Sequence, residues 1–143
     1  MKVKVKVINK SSNPLPEYKT SGSAGCDVYS NENVTLAPKE IKIVSTGLFV
    51  EIPEGYEIQV RPRSGLSWST KLRIANSPGT VDSDYRNEVG IIVENTGDIP
   101  MTFFKGERIA QFVLKEVLQA DWEEVEELSS TERGLGGFGS TNI

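Results

Sequence analysis

Gly79-Thr-Val-Asp-Ser-Asp-Tyr-Arg-Asn-Glu-Val-Gly90 sets two β-capable arms around a polar centre. The arms, 79–81 and 89–93, are largely apolar, and Asp82, Asp84, Tyr85, Arg86 and Glu88 crowd the seven residues between them. The pattern predicts a β-hairpin whose Asp- and Asn-rich tip bonds its own backbone. Such a tip can offer amides and carbonyls to a flat ring, with Tyr85 as an aromatic wall. Asp82 stands where arm meets tip, a place on a rigid element that suits a general base. An ordinary polar hairpin accounts for the same residues, so the flanking chain has to discriminate.

Downstream, 91–94, 99–104 and 107–114 read as strands separated by the turns at 95–98 and 105–106. The last of them is apolar on both faces, which predicts burial on both sides. Gln111 within it is then a polar group that requires a partner, in the protein or in a ligand. Upstream, 72–75, 55–60, 41–52, 34–36 and 1–8 read as strands, the first eight residues alternating with Val3, Val5 and Val7 on one face. Pro14 and Pro16 mark a loop, and Pro38 and Pro53 mark strand ends. Residues 21–30 run from a small-residue turn into a strand. Gly22 and Gly25 permit close backbone approach, and Asp27 follows at once, either as a functional carboxylate or as a turn-stabilising one.

Arg61-Pro-Arg-Ser-Gly-Leu-Ser67 ends a strand and opens a short helix predicted over 66–71, with Ser64 as its N-cap. Helix-start amides, a serine hydroxyl and arginines make a phosphate cradle. A capped helix with two solvated arginines is the plainer reading. The acidic stretch 120–128 is expected as a last strand with exposed edges. In the terminal segment, Gly134 to Gly139 holds four glycines in six residues, too many for a regular element. Arg133, Phe138, Ser140 and Thr141 stand out against it, as in a lid that orders over a phosphate and a flat ring. At up to ~3.3 Å per residue this tail can reach a neighbouring subunit. A disordered terminus is the alternative.

The 143 residues suit one domain, 37% hydrophobic and 25% charged, which is ordinary for a globular protein with a buried core. No run is long and apolar enough to span a membrane, and the first residues lack the apolar core of a secretory signal. Cys26 is the only cysteine, so no internal disulfide forms, in keeping with a reducing, cytoplasmic (or nuclear) setting rather than secretion. The chain has no histidine, which excludes Ser-His-Asp and Cys-His sites and any His-ligated zinc. Acid–base chemistry falls to carboxylates, Tyr or Lys. A net charge of −4 argues against broad nucleic-acid binding. Arginines placed in short polar motifs suit a compact polyanion instead. Many short strands with at most one short helix read as an all-β sandwich or a jelly-roll-like barrel.

Together, five motifs resemble the homotrimeric deoxyuridine triphosphatases (dUTP pyrophosphatases), in that family's order and spacing and over nearly the whole chain. They are Ala24-Gly-Cys-Asp-Val-Tyr-Ser30, Pro62-Arg-Ser-Gly-Leu66, Gly79-Thr-Val-Asp-Ser-Asp-Tyr-Arg-Asn-Glu88, Gly106-Glu-Arg-Ile-Ala-Gln111 and Arg133-Gly-Leu-Gly-Gly-Phe-Gly-Ser-Thr141. The resemblance implies a single domain, a β core over 1–128 with a flexible lid over 129–143. It implies hydrolysis of dUTP to dUMP and pyrophosphate by water attack at the α-phosphorus, which keeps uracil out of DNA and supplies dUMP for dTMP synthesis.

Asp82 would be the base and Tyr85 would lie against the deoxyribose. The hairpin backbone with Asn76 would read the uracil edge. Arg63, Ser64, Gly65 and Gln111 would hold phosphates, and Asp27 would approach Mg2+ through water. From the tail, Arg133 would meet the γ-phosphate, Phe138 would stack on uracil, and Gly139, Ser140 and Thr141 would add contacts. In the family the site is shared among three subunits. Phosphoryl chemistry rests on positioning and charge stabilisation, so the missing His is no obstacle.

Departures from the family pattern fall at Cys26, Trp68, Arg73, Asn87 and Asn142. Asn87 replaces a usual Gly and is expected to tolerate a left-handed turn. Two other classes compete: a same-fold dCTP deaminase, possibly bifunctional, and a nucleotide-sensing regulatory module.

Overall fold

The computed structural model describes residues 1–140. Among them the elements run β1 (Lys6–Asn9), β2 (Cys26–Tyr29), β3 (Val34–Leu36), β4 (Ile41–Ser45), β5 (Leu48–Glu51), β6 (Tyr56–Arg61), α1 (Ser64–Ser69), β7 (Leu72–Ile74), β8 (Gly79–Val81), β9 (Gly90–Asn95), β10 (Met101–Phe103) and β11 (Arg108–Glu116). All pairings are antiparallel, in four small sheets ordered β1-β5, β10-β3, β2-β11-β6-β8 and β4-β9-β7. The all-β, jelly-roll-like class with one short helix is therefore the observed one.

The strands form where β-branched and aromatic residues alternate with polar ones. β9 turns Ile91, Val93 and Asn95 inward and the residues between them outward. β11 buries Ile109, Ala110, Phe112 and Val113, so both of its faces are covered as its sequence predicts. Val28, Leu36, Val44 and Ile91 are wholly enclosed, and burying each stabilises the fold by about 1.5–3 kcal/mol. Asn95 is equally enclosed but fully bonded. Its amide donates to the Leu36, Ala37 and Ile99 carbonyls and its oxygen accepts from the Gly97 N–H. This avoids the cost of an unpaired buried polar group.

The two arms around 82–88 do not pair with each other. β8 pairs with β6 (Val81 opposite Ile58) and β9 pairs with β4 and β7 (Ile91 opposite Val44). Residues 82–89 are thus a crossing loop between two sheets, because each arm gains more burial against a distant strand than against its neighbour. The helix begins earlier than predicted. Arg63, extended at φ −90° and ψ 136°, is the N-cap and makes no side-chain cap, which leaves Ser64 inside the first turn. The 41–52 stretch is two strands broken at Thr46 and Gly47, where Gly47 has φ +70°. Of the first eight residues only those from Lys6 onward pair. Val3 and Val5 are half-buried and Val7 is exposed.

Residues 120–128 form no strand. They lie exposed, with Trp122 90% and Leu128 89% accessible, because no edge of their own chain receives them. Asn87 takes no left-handed conformation: among the described residues only Lys39 and Phe138 do so without being Gly. Its oxygen instead accepts the Glu88 N–H at 2.8 Å.

Candidate active site

Three of the five motifs converge on Asp27. β2 and β6 flank β11, so Gln111 lies opposite Asp27 on one side and opposite Arg61 on the other. Paired residues share a face, and Arg63, two residues beyond Arg61, turns to that face as well. Arg63 Nε donates to Asp27 Oδ1 at 3.0 Å and Arg108 Nη1 donates to Oδ2 at 3.2 Å. Gln111 Nε2 donates to the Pro62 carbonyl at 2.9 Å, tying β11 to the segment that carries Arg63, Ser64 and Gly65. Asp27 is mostly buried and Arg63 three-quarters so, whereas Arg108 is 45% accessible. The Arg63 bond is therefore the less screened of the two. The result is one carboxylate orienting two guanidinium groups whose remaining N–H donors can face an anion.

Gly25 shows how tightly this node is built. A Cβ at position 25 would stand 2.1 Å from Gln111 Oε1. Gly25→Ala is expected to push the Gln111 amide off the Pro62 carbonyl. It should lower kcat/KM by about tenfold with a smaller effect on melting temperature, as steady-state kinetics beside thermal unfolding will read.

Asp82 lies elsewhere. β8 runs antiparallel to β6, Gly79 opposite Val60 and Val81 opposite Ile58. Asp82 thus leaves the sheet at the Tyr56 end of β6, while Arg63 follows the Arg61 end. Five residues of extended chain between Ile58 and Arg63 span roughly 16 Å. Asp82 opens on a recess shared with Tyr56, Glu57, Asp84, Arg86 and Val117. Nothing among the described residues donates to its carboxylate.

Tyr85 is 39% accessible. Its N–H donates to the Asp82 carbonyl at 3.1 Å and its hydroxyl to the Glu88 carbonyl at 2.6 Å. Asn76 is exposed, with its amide against Gly79, at the other end of β8 from Asp82.

The described part of the tail, up to Ser140, meets neither group. Arg133 Nε donates to the Gly136 carbonyl and the Ser140 N–H to the Gly137 carbonyl, both local bonds. Phe138 is fully exposed at φ +50°, and Gly139 follows at φ +91°. Thr141 lies outside the described residues.

The dUTPase family model matches residues 3–142. The chain belongs to the dUTPase family. It is 55% identical over 142 residues to the deoxyuridine 5'-triphosphate nucleotidohydrolase of Fusobacterium nucleatum subsp. nucleatum, covering 98% of this chain and 97% of that one. It is 52% identical over 141 residues to that of Anaeromyxobacter sp. (strain Fw109-5), covering 97% and 96%. Among solved structures, the dUTPase of Staphylococcus bacteriophage 80alpha with dUpNHpp superposes with a TM-score of 0.89 at 31% identity, covering 98% of this chain and 99% of that one.

Within this dUTPase fold the carboxylates do not cage a metal. Among the described residues no three His, Cys, Asp or Glu side chains are grouped so as to hold a metal ion, and both Asp27 oxygens face arginines. One carboxylate beside a phosphate-type cradle fits a magnesium ion that keeps its waters and is held mainly by substrate phosphates.

Two side-chain contacts beside the predicted site residues escape the sequence reading, those of Arg108 with Asp27 and of Glu88 with Ser45 and Gly47. Arg108 and Gln111 are three apart and in a regular strand face opposite ways. The register of β11 against β2 slips between Arg108 and Ala110, and this bulge brings Arg108 round to Asp27. No signal in the sequence marks that bulge. Glu88 makes the second, and its signal is a carboxylate beside the apolar Val89. Cys26 is inert by contrast: it is buried, donates weakly to the Phe112 carbonyl, and burial pushes its thiol pKa up.

Proposed function

We propose that this protein hydrolyses dUTP to dUMP and pyrophosphate, keeping uracil out of DNA and supplying dUMP for dTMP synthesis. The observation that carries the reading is the node in which Asp27 orients Arg63 and Arg108 beside Gln111, in a chain of the dUTPase family. Arg63, Gln111 and the Ser64–Gly65 helix start bind the phosphates. Asp82 accepts a proton from the water that attacks the α-phosphorus. Tyr85 lies against the deoxyribose and leaves no room for a 2′-hydroxyl, and Asn76 with the crossing-loop backbone reads the uracil edge. Arg133 pairs with the γ-phosphate, Phe138 covers the uracil, and Gly139, Ser140 and Thr141 close on the phosphates. Asp27 would approach Mg2+ through water, and the ion, held mainly by the substrate phosphates, would supply neutralisation of their charge. A variant phage phi11 dUTPase of known structure contains a structural Mg(II) ion.

The active unit is a homotrimer with shared sites. Asp82 and Arg63 at opposite ends of β6 favour it, since one chain does not bring base and cradle together. So do Leu118, Trp122 and Leu128, exposed on an arm that its own core does not cover. A single buried, unbridged cysteine suits a cytoplasmic setting.

Pyrophosphate release with Mg2+, comparing dUTP, dCTP, dTTP and UTP at equal concentration, tests the reading. Release is expected from dUTP, with the cytosine nucleotide disfavoured by roughly 10⁴-fold because its edge leaves polar groups unpaired. Ammonia release from dCTP would favour the deaminase. Silence from all four, with the protein folded, would favour a nucleotide-sensing module.

A further inference from the structure

One side chain moors the crossing loop to the body of the fold. Glu88 Oε2 accepts from the Ser45 hydroxyl at 2.5 Å and from the Gly47 N–H at 2.8 Å. Both donors are themselves fixed. Asn31 Nδ2 donates to Ser45 Oγ at 3.1 Å, and the Ser45 N–H donates to the Glu32 carboxylate at 3.0 Å. Gly47 is left-handed at φ +70°, and a Cβ there would stand 2.9 Å from Ser11, so a side chain at this position would disturb the donor.

The next residue is anchored by backbone. The Val89 N–H donates to the Leu48 carbonyl at 2.8 Å, and Thr46, only 2% accessible, donates its hydroxyl to the Val89 carbonyl at 2.5 Å. On the loop side, the Glu88 carbonyl receives the Tyr85 hydroxyl at 2.6 Å. The other charged tie, Arg86 to Glu51, is 3.9 Å long and exposed at both ends, too weak to hold the loop.

We infer that Glu88 is a positioning residue for sugar discrimination. Its carboxylate fixes the loop from below while its carbonyl holds the Tyr85 hydroxyl, so the ring stays where a 2′-hydroxyl would have to go. This rests on the role given to Tyr85 above. Losing the carboxylate frees the loop to shift by the fraction of an ångström that a ribose needs. Losses of this kind fall on selectivity first, because dUTP still fits a loosened site.

The test compares kcat/KM for dUTP and for UTP in the wild type, Glu88→Ala, Glu88→Gln and Ser45→Ala, each with its melting temperature. Glu88→Ala is expected to narrow the dUTP:UTP ratio by about tenfold. Ser45→Ala removes one of the two donors and narrows it less. Glu88→Gln restores most of the ratio, since its amide oxygen accepts from the same two donors. A purely structural role would lower both rates in parallel and leave the ratio unchanged. A wild-type ratio in folded Glu88→Ala overturns the inference and leaves the Tyr85 role standing. If Glu88→Ala does not fold, the same ratio in Ser45→Ala overturns it. A wild type that hydrolyses UTP as readily as dUTP overturns both.

Discussion

Asp82→Asn is expected to lower kcat for dUTP by about 10²–10⁴-fold, the usual contribution of a positioned base, while dUTP binding stays near that of the wild type. Asparagine keeps the shape of the side chain but cannot take the proton of the attacking water. The position tolerates the change, because Asp82 is exposed and no described residue donates to its carboxylate. Stability should move by no more than about 0.5 kcal/mol. Single-turnover pyrophosphate release measures the chemistry, and calorimetric titration with dUpNHpp measures binding. Asp84→Asn, two residues along the same loop, serves as the control and should keep turnover within a few-fold. Wild-type turnover in Asp82→Asn would refute the base assignment.

Removing residues 133–143 is expected to cost on the order of 10²-fold or more in kcat/KM and almost nothing in melting temperature. The two effects separate because the described part of this segment makes only local bonds: Arg133 to Gly136 and Ser140 to Gly137 within it, and Gly134 to the adjacent Thr131. An exposed Phe138 and three glycines between Arg133 and Phe138 contribute little to the folded core, but they can close over a substrate. Thermal unfolding of the shortened chain beside its steady-state kinetics decides the matter. An unchanged rate would remove the lid from the mechanism.

What the sequence made legible follows from the range of each interaction. Short runs of strand-forming residues bounded by turn signals identify 91–94 and 107–114, because those preferences are local. Gln111 could be singled out as a polar residue needing a partner, and the Pro62 carbonyl is that partner. The pairing of 79–81 with 89–93 could not be judged in the same way. Both arms are apolar and flank a polar stretch, and nothing local tells Val81 that its partner is Ile58. Arg108 stayed hidden because a bulge rotates it by one residue, and a bulge leaves no mark in an alternating pattern. The arm at 120–128 looked like a strand because strand-forming residues are present. A strand also needs a partner, and 120–128 pairs with none of the described strands.

β11 is both the last strand among the described residues and an inner strand of its sheet, with β2 on one side and β6 on the other. On the ribosome, Asp27 and Arg63 therefore emerge early and wait. Their strands have no pairing with each other, and nothing joins them until Arg108–Glu116 leaves the exit tunnel. Until then the nascent chain carries two bare strand edges of the kind that recruit other chains. A message cut short before this point would yield no weakened enzyme with a partial cradle. It would yield a sticky fragment for proteases and chaperones to clear, so synthesis of the site is all-or-none in time as well as in space.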